Sequence, residues 1–276
     1  MQILMATGGS SHSEVALGFG ICLLEGNRAE VKVTVLTVIK HQTDYEKASH
    51  ILVQAQHLLA SEIKALQTKI RVGHPAEEIV REAEEGKYDL VIVGERQHHK
   101  LITRFVLGST AERVVEHAPC PVIVAKGHCG PVQRILLCDS GADNPSLLSR
   151  FTRQLAGFIR AEQEITVLHV MSQISAGPGV RGKQLRAEAE ELIAEHTPEG
   201  ELLERDVYTL EKLGVQPQPK VRHGLVVDEI LAEAREGKYD LVVIGASPGQ
   251  DWRRILLDDL AHQIIAQVDR PILIVR

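Results

Sequence analysis

Aromatic residues are scarce in this chain: four Phe, four Tyr and one Trp, 3% of 276 residues. A core must therefore be assembled from Val, Ile, Leu and Ala. Cysteines are few as well. Cys22, Cys120, Cys129 and Cys138 are scattered with no CxxC pair, which fits reduced thiols in a cytoplasmic protein better than a disulfide frame. Among thirteen histidines no HxH or HxxxH spacing occurs, and the adjacent His98 and His99 cannot turn toward one ion from a helix or strand. No metal site is expected. The formal charge of −6, with no basic run interleaved with aromatics, argues against a nucleic acid or an anionic membrane surface as partner. No apolar run approaches the ~20 residues that cross a bilayer. Met1-Gln2-Ile3-Leu4 opens directly into a strand-like run without the layout of a signal peptide. No GxxxxGK[ST] appears, so Walker-type and kinase readings fail.

What is present is a repeat. Residues 82–94 read EAEEGKYDLVIVG, and residues 233–245 read EAREGKYDLVVIG. Ten of the thirteen positions are identical at an offset of 233 − 82 = 151. Cys120-Pro121-Val122-Ile123-Val124 is matched by Arg270-Pro271-Ile272-Leu273-Ile274 at an offset of 150. Each copy has about 130 residues, the size of an independent domain. The expected domains are 1–127 and 132–276, joined through Lys126-Gly127-His128-Cys129-Gly130-Pro131.

Hydrophobic periodicity gives each copy an alternating order of strand and helix. In the first copy strands are expected at 3–7, 31–39, 69–72, 90–93 and 122–125, and helices at 14–24, 47–66, 76–85 and 109–117. In the second, strands are expected at 134–138, 164–170, 219–222, 241–244 and 272–275. Its helices fall near 145–159, 180–213, 226–236 and 258–268, the second of them broken around Thr197-Pro198-Glu199-Gly200. Residues 171–182 read as a loop. This alternation calls for an α/β fold: two tandem doubly wound domains, each a parallel sheet with right-handed crossovers and helices on both faces.

The stretch from Asp89 to Arg113 carries the chemistry. A buried strand stops at Gly94, and a polar loop leads to Gly108-Ser109-Thr110-Ala111-Glu112. Serine with glutamate three residues later predicts a capping box and a helix starting at Ser109. A glycine before a helix N-terminus presents backbone N–H groups beside a positive dipole end, where a phosphate can sit. The same residues would serve equally as a simple turn and cap.

Both copies resemble the universal stress protein family, over essentially the full length. ILMATGGSSHSEVAL resembles the family's opening ILVATDGS strand and turn. VGHPAEEIV resembles its third crossover, and VIVGERQ…FVLGSTAERVVEHAPCPVIV its closing segment. The resemblance implies five parallel strands per domain in the order 3-2-1-4-5. It also implies ATP or a related adenine nucleotide at the carboxyl ends of the strands, and pairing between domains or chains through the fifth strand. The family's phosphate motif is glycine, two residues, glycine, nine residues, glycine, then serine or threonine. On that pattern Gly108, Ser109 and Thr110 of domain 1 would hold phosphates. Gly94 would admit the ligand, and Ala6, Thr7 and the strand end near Val38 would line base and ribose. Arg104 could add a charge.

This chain departs from the pattern. Gln97 replaces the middle glycine of domain 1, the loop is one residue longer, and the aspartate of ATDGS is Gly8. In domain 2 Gly245 is kept, but Pro248 takes the middle position and Asp258-Asp259 replace glycine-serine. Two carboxylates there would repel a triphosphate, so domain 2 is expected not to bind nucleotide phosphates. Asp139 lies one position before the place of the family aspartate, which falls on Ser140. Three readings follow: a cytoplasmic stress-response protein with a nucleotide site in domain 1; a nucleotide-free scaffold acting through an intrachain pseudo-dimer, a homodimer or another partner; and slow ATP hydrolysis, for which Asp139 is the one candidate and no convincing base is placed.

Overall fold

The structure is a computed structural model, and it describes residues 1–24, 31–60, 63–95, 108–127, 130–140, 146–171, 187–246 and 259–276. The chain forms two compact units. Unit one is Met1–Pro131 with Ala246–Leu257 and Asp269–Arg276, and unit two is Val132–Gly245 with Asp258–Val268.

Unit one begins with strand β1 (Gln2–Ala6), helix α1 (Ser11–Leu24), β2 (Lys32–Ile39), α2 (Tyr45–Leu59) and β3 (Ala65–Val72). It continues through α3 (Pro75–Gly86), β4 (Leu90–Gly94), α4 (Ser109–His117) and β5 (Val122–Ala125). Strands β3-β2-β1-β4-β5 are adjacent in that order and parallel. Ile3, Leu4, Met5, Leu90, Val91 and Ile92 are fully buried, as central strands covered on both faces must be.

Unit two contributes β6 (Arg134–Cys138), α5 (Leu147–Leu155), β7 (Glu164–Met171), α6 (Ala189–Ala194) and α7 (Pro198–Glu211). Then come β8 (Gln216–His223), α8 (Val226–Glu236), β9 (Leu241–Gly245) and α9 (Asp259–Gln267). Its strands run parallel in the order β9-β6-β7-β8. The last strand, β10 (Ile272–Val275), groups with unit one, where it lies antiparallel to β5 with Leu273 opposite Ile123. The architecture is α/β, in two tandem doubly wound units.

Three expected boundaries shift. The helix expected over 47–66 stops at Leu59, and β3 starts at Ala65 rather than at 69. Ala65 to Val72 alternates in exposure, and all eight residues pair with β2, so ladder pairing overrides the helical spacing. The strand expected over 219–222 extends back to Gln216 through Pro217 and Pro219. Proline is tolerated there because β8 is the outer strand of its unit and one side of it needs no ladder donors. The expected helical break falls at Thr197, whose hydroxyl accepts from Gly200 N–H at 3.0 Å and caps α7, with Pro198 in its first turn. The expected loop at 171–182 lies almost wholly outside the described residues.

One polar network occurs in both units. In unit one Glu82 is buried under β3 and accepts from Lys69 Nζ (2.5 Å), Arg71 Nε (2.7 Å) and Tyr88 OH (3.0 Å). Arg71 also reaches Glu78 and Glu85. In unit two the same roles fall to Glu233, Lys220, Arg222 and Tyr239, with Glu229 and Glu236 outside. Each of these positions is offset by 151, so the repeat extends to the ion pairs that fasten the outer strand to the helix after it.

Candidate functional site

In unit one β1 lies between β2 and β4, so crossovers leave it in opposite directions. The carboxyl ends of such strands border a crevice where ligands of doubly wound folds bind. Ala6 ends β1, and Thr7 follows, almost fully buried. Thr7 donates its N–H to Leu36 O (2.9 Å) and accepts on its carbonyl from Thr37 Oγ1 (3.1 Å). Val38, near the end of β2, is half-buried opposite Arg71.

The turn after Thr7 closes on itself. Ser13 Oγ accepts from Gly8 N–H (3.3 Å), Ser10 N–H (3.0 Å) and Thr7 Oγ1 (3.1 Å), and donates to Ser10 O (2.8 Å). Gly9 N–H donates to Thr7 Oγ1 at 3.3 Å. These donors, which a glycine-serine turn could aim at an anion, are engaged by the chain's own hydroxyls. Gly8 itself is exposed, and a Cβ added there would meet nothing within 4 Å. The carboxylate that this sequence lacks would therefore fit.

Gly94 closes β4, half-buried and paired with Ala125. A Cβ on it would stand 2.1 Å from the carbonyl oxygen of His12. Glycine is required here by the first turn of α1, whatever else approaches. Next to it Glu95 and Lys126 form an ion pair of 2.9 Å across the ends of β4 and β5, with the Lys126 side chain only 1% exposed. Burial pulls the Lys126 ammonium below its ordinary range, and Glu95 offsets part of that. Lys126 entered the sequence reading only as part of the domain join; a lysine directly after a buried strand was its available signal.

Helix α4 starts at Ser109 as expected, but not by the expected cap. Gly108 is the N-cap, with φ −61° and ψ 135°, and Glu112 N–H bonds to its carbonyl. Ser109 is thus the first helical residue rather than the cap, and Glu112 stands one position too far along for a capping box. Among the described residues no side-chain cap is seen at the start of α4. Ser109 is exposed and Thr110 half-exposed at the carboxyl edge of the sheet. Gln97 and Arg104 lie outside the described residues.

Unit two differs at the corresponding places. Ile3 pairs with Leu90 and Ile135 with Leu241, so Thr7 corresponds to Asp139. Asp139 N–H bonds to Leu168 O (3.2 Å) as Thr7 does to Leu36, and His169 Nδ1 meets Asp139 O at 3.1 Å where Thr37 served before. The Asp139 residue is buried, and its charge is among the causes that raise the Asp206 carboxyl on α7, after burial of Asp206 itself. Pro248 and Asp258 fall outside the described residues, while Asp259 is the first residue of α9. Among the described residues no group of three or more His, Cys, Asp or Glu is arranged to hold a metal ion, and no helix is long and apolar enough to cross a membrane.

The model of the universal stress protein family matches residues 1–126 and again 132–276. A universal stress protein of Methanocaldococcus jannaschii is 46% identical over 61 residues, which span 22% of this chain and 35% of that protein. A Staphylococcus aureus (strain USA300) protein named for the same family is 30% identical over 141 residues, 45% of this chain and 83% of that one. Among solved structures, a universal stress protein from Archaeoglobus fulgidus DSM 4304 superposes with a TM-score of 0.67 at 18% identity, covering 100% of this chain and 98% of that one. This last likeness concerns the fold. With both halves of the chain matched by one family model, the conclusion is direct: the chain belongs to the universal stress protein family.

Proposed function

We propose that unit one binds ATP or a related adenine nucleotide at the carboxyl edge of its sheet, and that unit two has lost this capacity. The observation that carries the reading is the start of α4. Gly108 supplies a glycine N-cap without a side chain, and Ser109 and Thr110 are accessible in the first turn. That arrangement leaves N–H groups and two hydroxyls for phosphate oxygens at a positive dipole end. Ala6, Thr7 and Val38 would flank base and ribose, and Gly94 would let the chain pass close by. In unit two the acidic pair Asp258-Asp259 occupies the equivalent sequence position. The protein would act by binding, in the cytoplasm and in response to stress, rather than by turnover.

The test is titration calorimetry of ATP into the full chain, with nucleotide analysis of the denatured protein. The expectation is micromolar binding, abolished by Gly108→Asp, which copies unit two. Gly8→Asp, which restores the family carboxylate in open space, should tighten binding. No heat at millimolar ATP, together with no co-purified nucleotide, would sink the reading. A second reading, a nucleotide-free scaffold that pairs with itself or a partner, is favoured by the self-satisfied turn around Ser13 and the missing carboxylate at Gly8. It predicts that Gly8→Asp alone does nothing.

A further inference from the structure

The outer strands of the two units correspond position by position. β3 covers 65–72 and β8 covers 216–223, an offset of 151 at both ends. Each pairs along its whole length with one neighbour, β3 with β2 and β8 with β7. Among the described residues nothing pairs with the other side of either. The phase of each ladder is fixed by the bond that closes it, because backbone groups alternate sides along a strand. Gly73 N–H donates to Ile39 O (2.8 Å), so Ala65, Gln67, Lys69 and Arg71 face β2. Leu66, Thr68, Ile70 and Val72 therefore turn their N–H and C=O groups outward. In unit two Gly224 N–H donates to Met171 O (3.2 Å), which turns residues 217, 219, 221 and 223 outward. Two of those are Pro217 and Pro219. That edge lacks donors where another strand would need them, and proline so placed keeps an edge from pairing. Leu66 and Thr68 hold the same positions in unit one, and its edge keeps every donor.

The sequence of β3 suits a second copy of itself. A two-fold axis brings like edges together antiparallel, with outward residues of one copy opposite outward residues of the other. Two registers give long overlaps. With Leu66 opposite Val72, the two Lys69 side chains meet head-on, and like charges directly opposite are destabilising. With Thr68 on the axis, Thr68 faces its own copy, Leu66 faces Ile70, Gln67 faces Lys69 and Ala65 faces Arg71. No cation then meets a cation. Lys69 and Arg71 are in any case matched by Glu78, Glu82 and Glu85 of their own α3. Leu66 and Ile70, half-buried in the single chain, each gain an aliphatic neighbour on the same face. The pairs 66·70, 68·68 and 70·66 exchange two backbone bonds each, about six in all. Two of the three donors that each copy contributes stand at the positions where unit two has proline.

We propose that the chain forms a homodimer through the β3 edge of unit one, with Thr68 on the two-fold axis, and that Pro217 and Pro219 keep unit two out of such pairing. The contact uses the third strand of unit one rather than the fifth, whose outer side β10 occupies. It requires no bound nucleotide.

The test is analytical ultracentrifugation of the full chain, which should sediment as a dimer at micromolar concentration. Thr68→Pro and Leu66→Pro, which copy Pro219 and Pro217, each remove two of the bonds and should each weaken the dimer by at least about tenfold. Circular dichroism and the urea midpoint of the variants should stay unchanged, because neither N–H serves the fold. Thr68→Cys gives a readout that needs no proline. Facing residues of a hydrogen-bonded pair stand about 5.5 Å apart between Cα atoms, within reach of a disulfide. Mild oxidation should therefore yield a covalent dimer whose peptide map joins the two copies at position 68. If a proline variant fails to fold, the cysteine result decides. A native chain that stays monomeric near millimolar concentration overturns the proposal. So does a dimer that both folded proline variants leave intact, or one that oxidation of Thr68→Cys does not capture at that position.

Discussion

Glu82→Gln removes one charge from a site where three donors converge, and the structure sets the size of the loss. Glu82 has a side chain 2% exposed. Its carboxylate takes hydrogen bonds from Lys69, Arg71 and Tyr88. Lys69 is 43% exposed and regains water when released, so its share is small. Arg71 is 20% exposed and bonds Oε2, while Tyr88 is buried and bonds Oε1; glutamine turns one of these two acceptors into a donor nitrogen and removes the charge from the other. Charge-assisted bonds at ~1.5–3 kcal/mol each, with two of the three in play, give a loss of about 3 kcal/mol. Urea unfolding of the full chain followed by circular dichroism measures it. The repeat supplies an internal replicate: Glu233→Gln should cost about the same, and the double variant the sum within ~0.5 kcal/mol if the two networks act independently. The acid limb carries a sign as well. Burial alone would raise the Glu82 carboxyl, but Lys69, Arg71 and Tyr88 outweigh it and hold it below the ordinary range. Its stabilisation is therefore present above that range and lost as pH falls through the lowered value, and Glu82→Gln should flatten that acid limb. A loss under ~1 kcal/mol for both single variants, at neutral pH, would refute the reasoning and make the network a surface decoration.

Gly94→Ala should cost more than about 3 kcal/mol or leave unit one unfolded in a thermal melt, because the clash at 2.1 Å is with backbone and not with a side chain that can turn away. Lys126→Met strands the Glu95 carboxylate, 11% exposed, and should cost about 3 kcal/mol by urea unfolding; adding Glu95→Leu should recover at least half of it. Burial pushes the Cys120 thiol up to about 12, with Arg276 opposing and Asp89 adding. Iodoacetamide at pH 8 should therefore leave Cys120 unlabelled in the native chain and label it in urea, as peptide mapping would report.

The central strands were legible because their signal is local and strong. Leu90-Val91-Ile92-Val93 and Ile135-Leu136-Leu137 are apolar runs bounded by turn residues, and burial on both faces requires nothing else. The outer strands were not. Ala65 to Val72 carries polar residues and reads as the tail of a helix until the partner strand is in place. Pro217 and Pro219 hide a strand whose exposed edge makes them harmless. At the site, Gly94 and the Gly108-Ser109 helix start were visible as spacing, but the reason for Gly94 was not. A contact with His12, more than eighty residues away in sequence, leaves no trace in a local pattern.

The pairing of β10 with β5 makes unit one discontinuous along the chain. Val122 and Ile272 open the two strands, 272 − 122 = 150 residues apart. On a ribosome adding about 5–20 residues per second, the outer edge of β5 waits roughly 10 to 30 s for its neighbour. During that interval Val122-Ile123-Val124-Ala125 presents an apolar, uncharged row of unpaired backbone groups, the kind of edge that recruits foreign strands. The first half of the chain is thus made early and finished late. Its vulnerable period is set by the speed of translation rather than by the stability of the completed sheet.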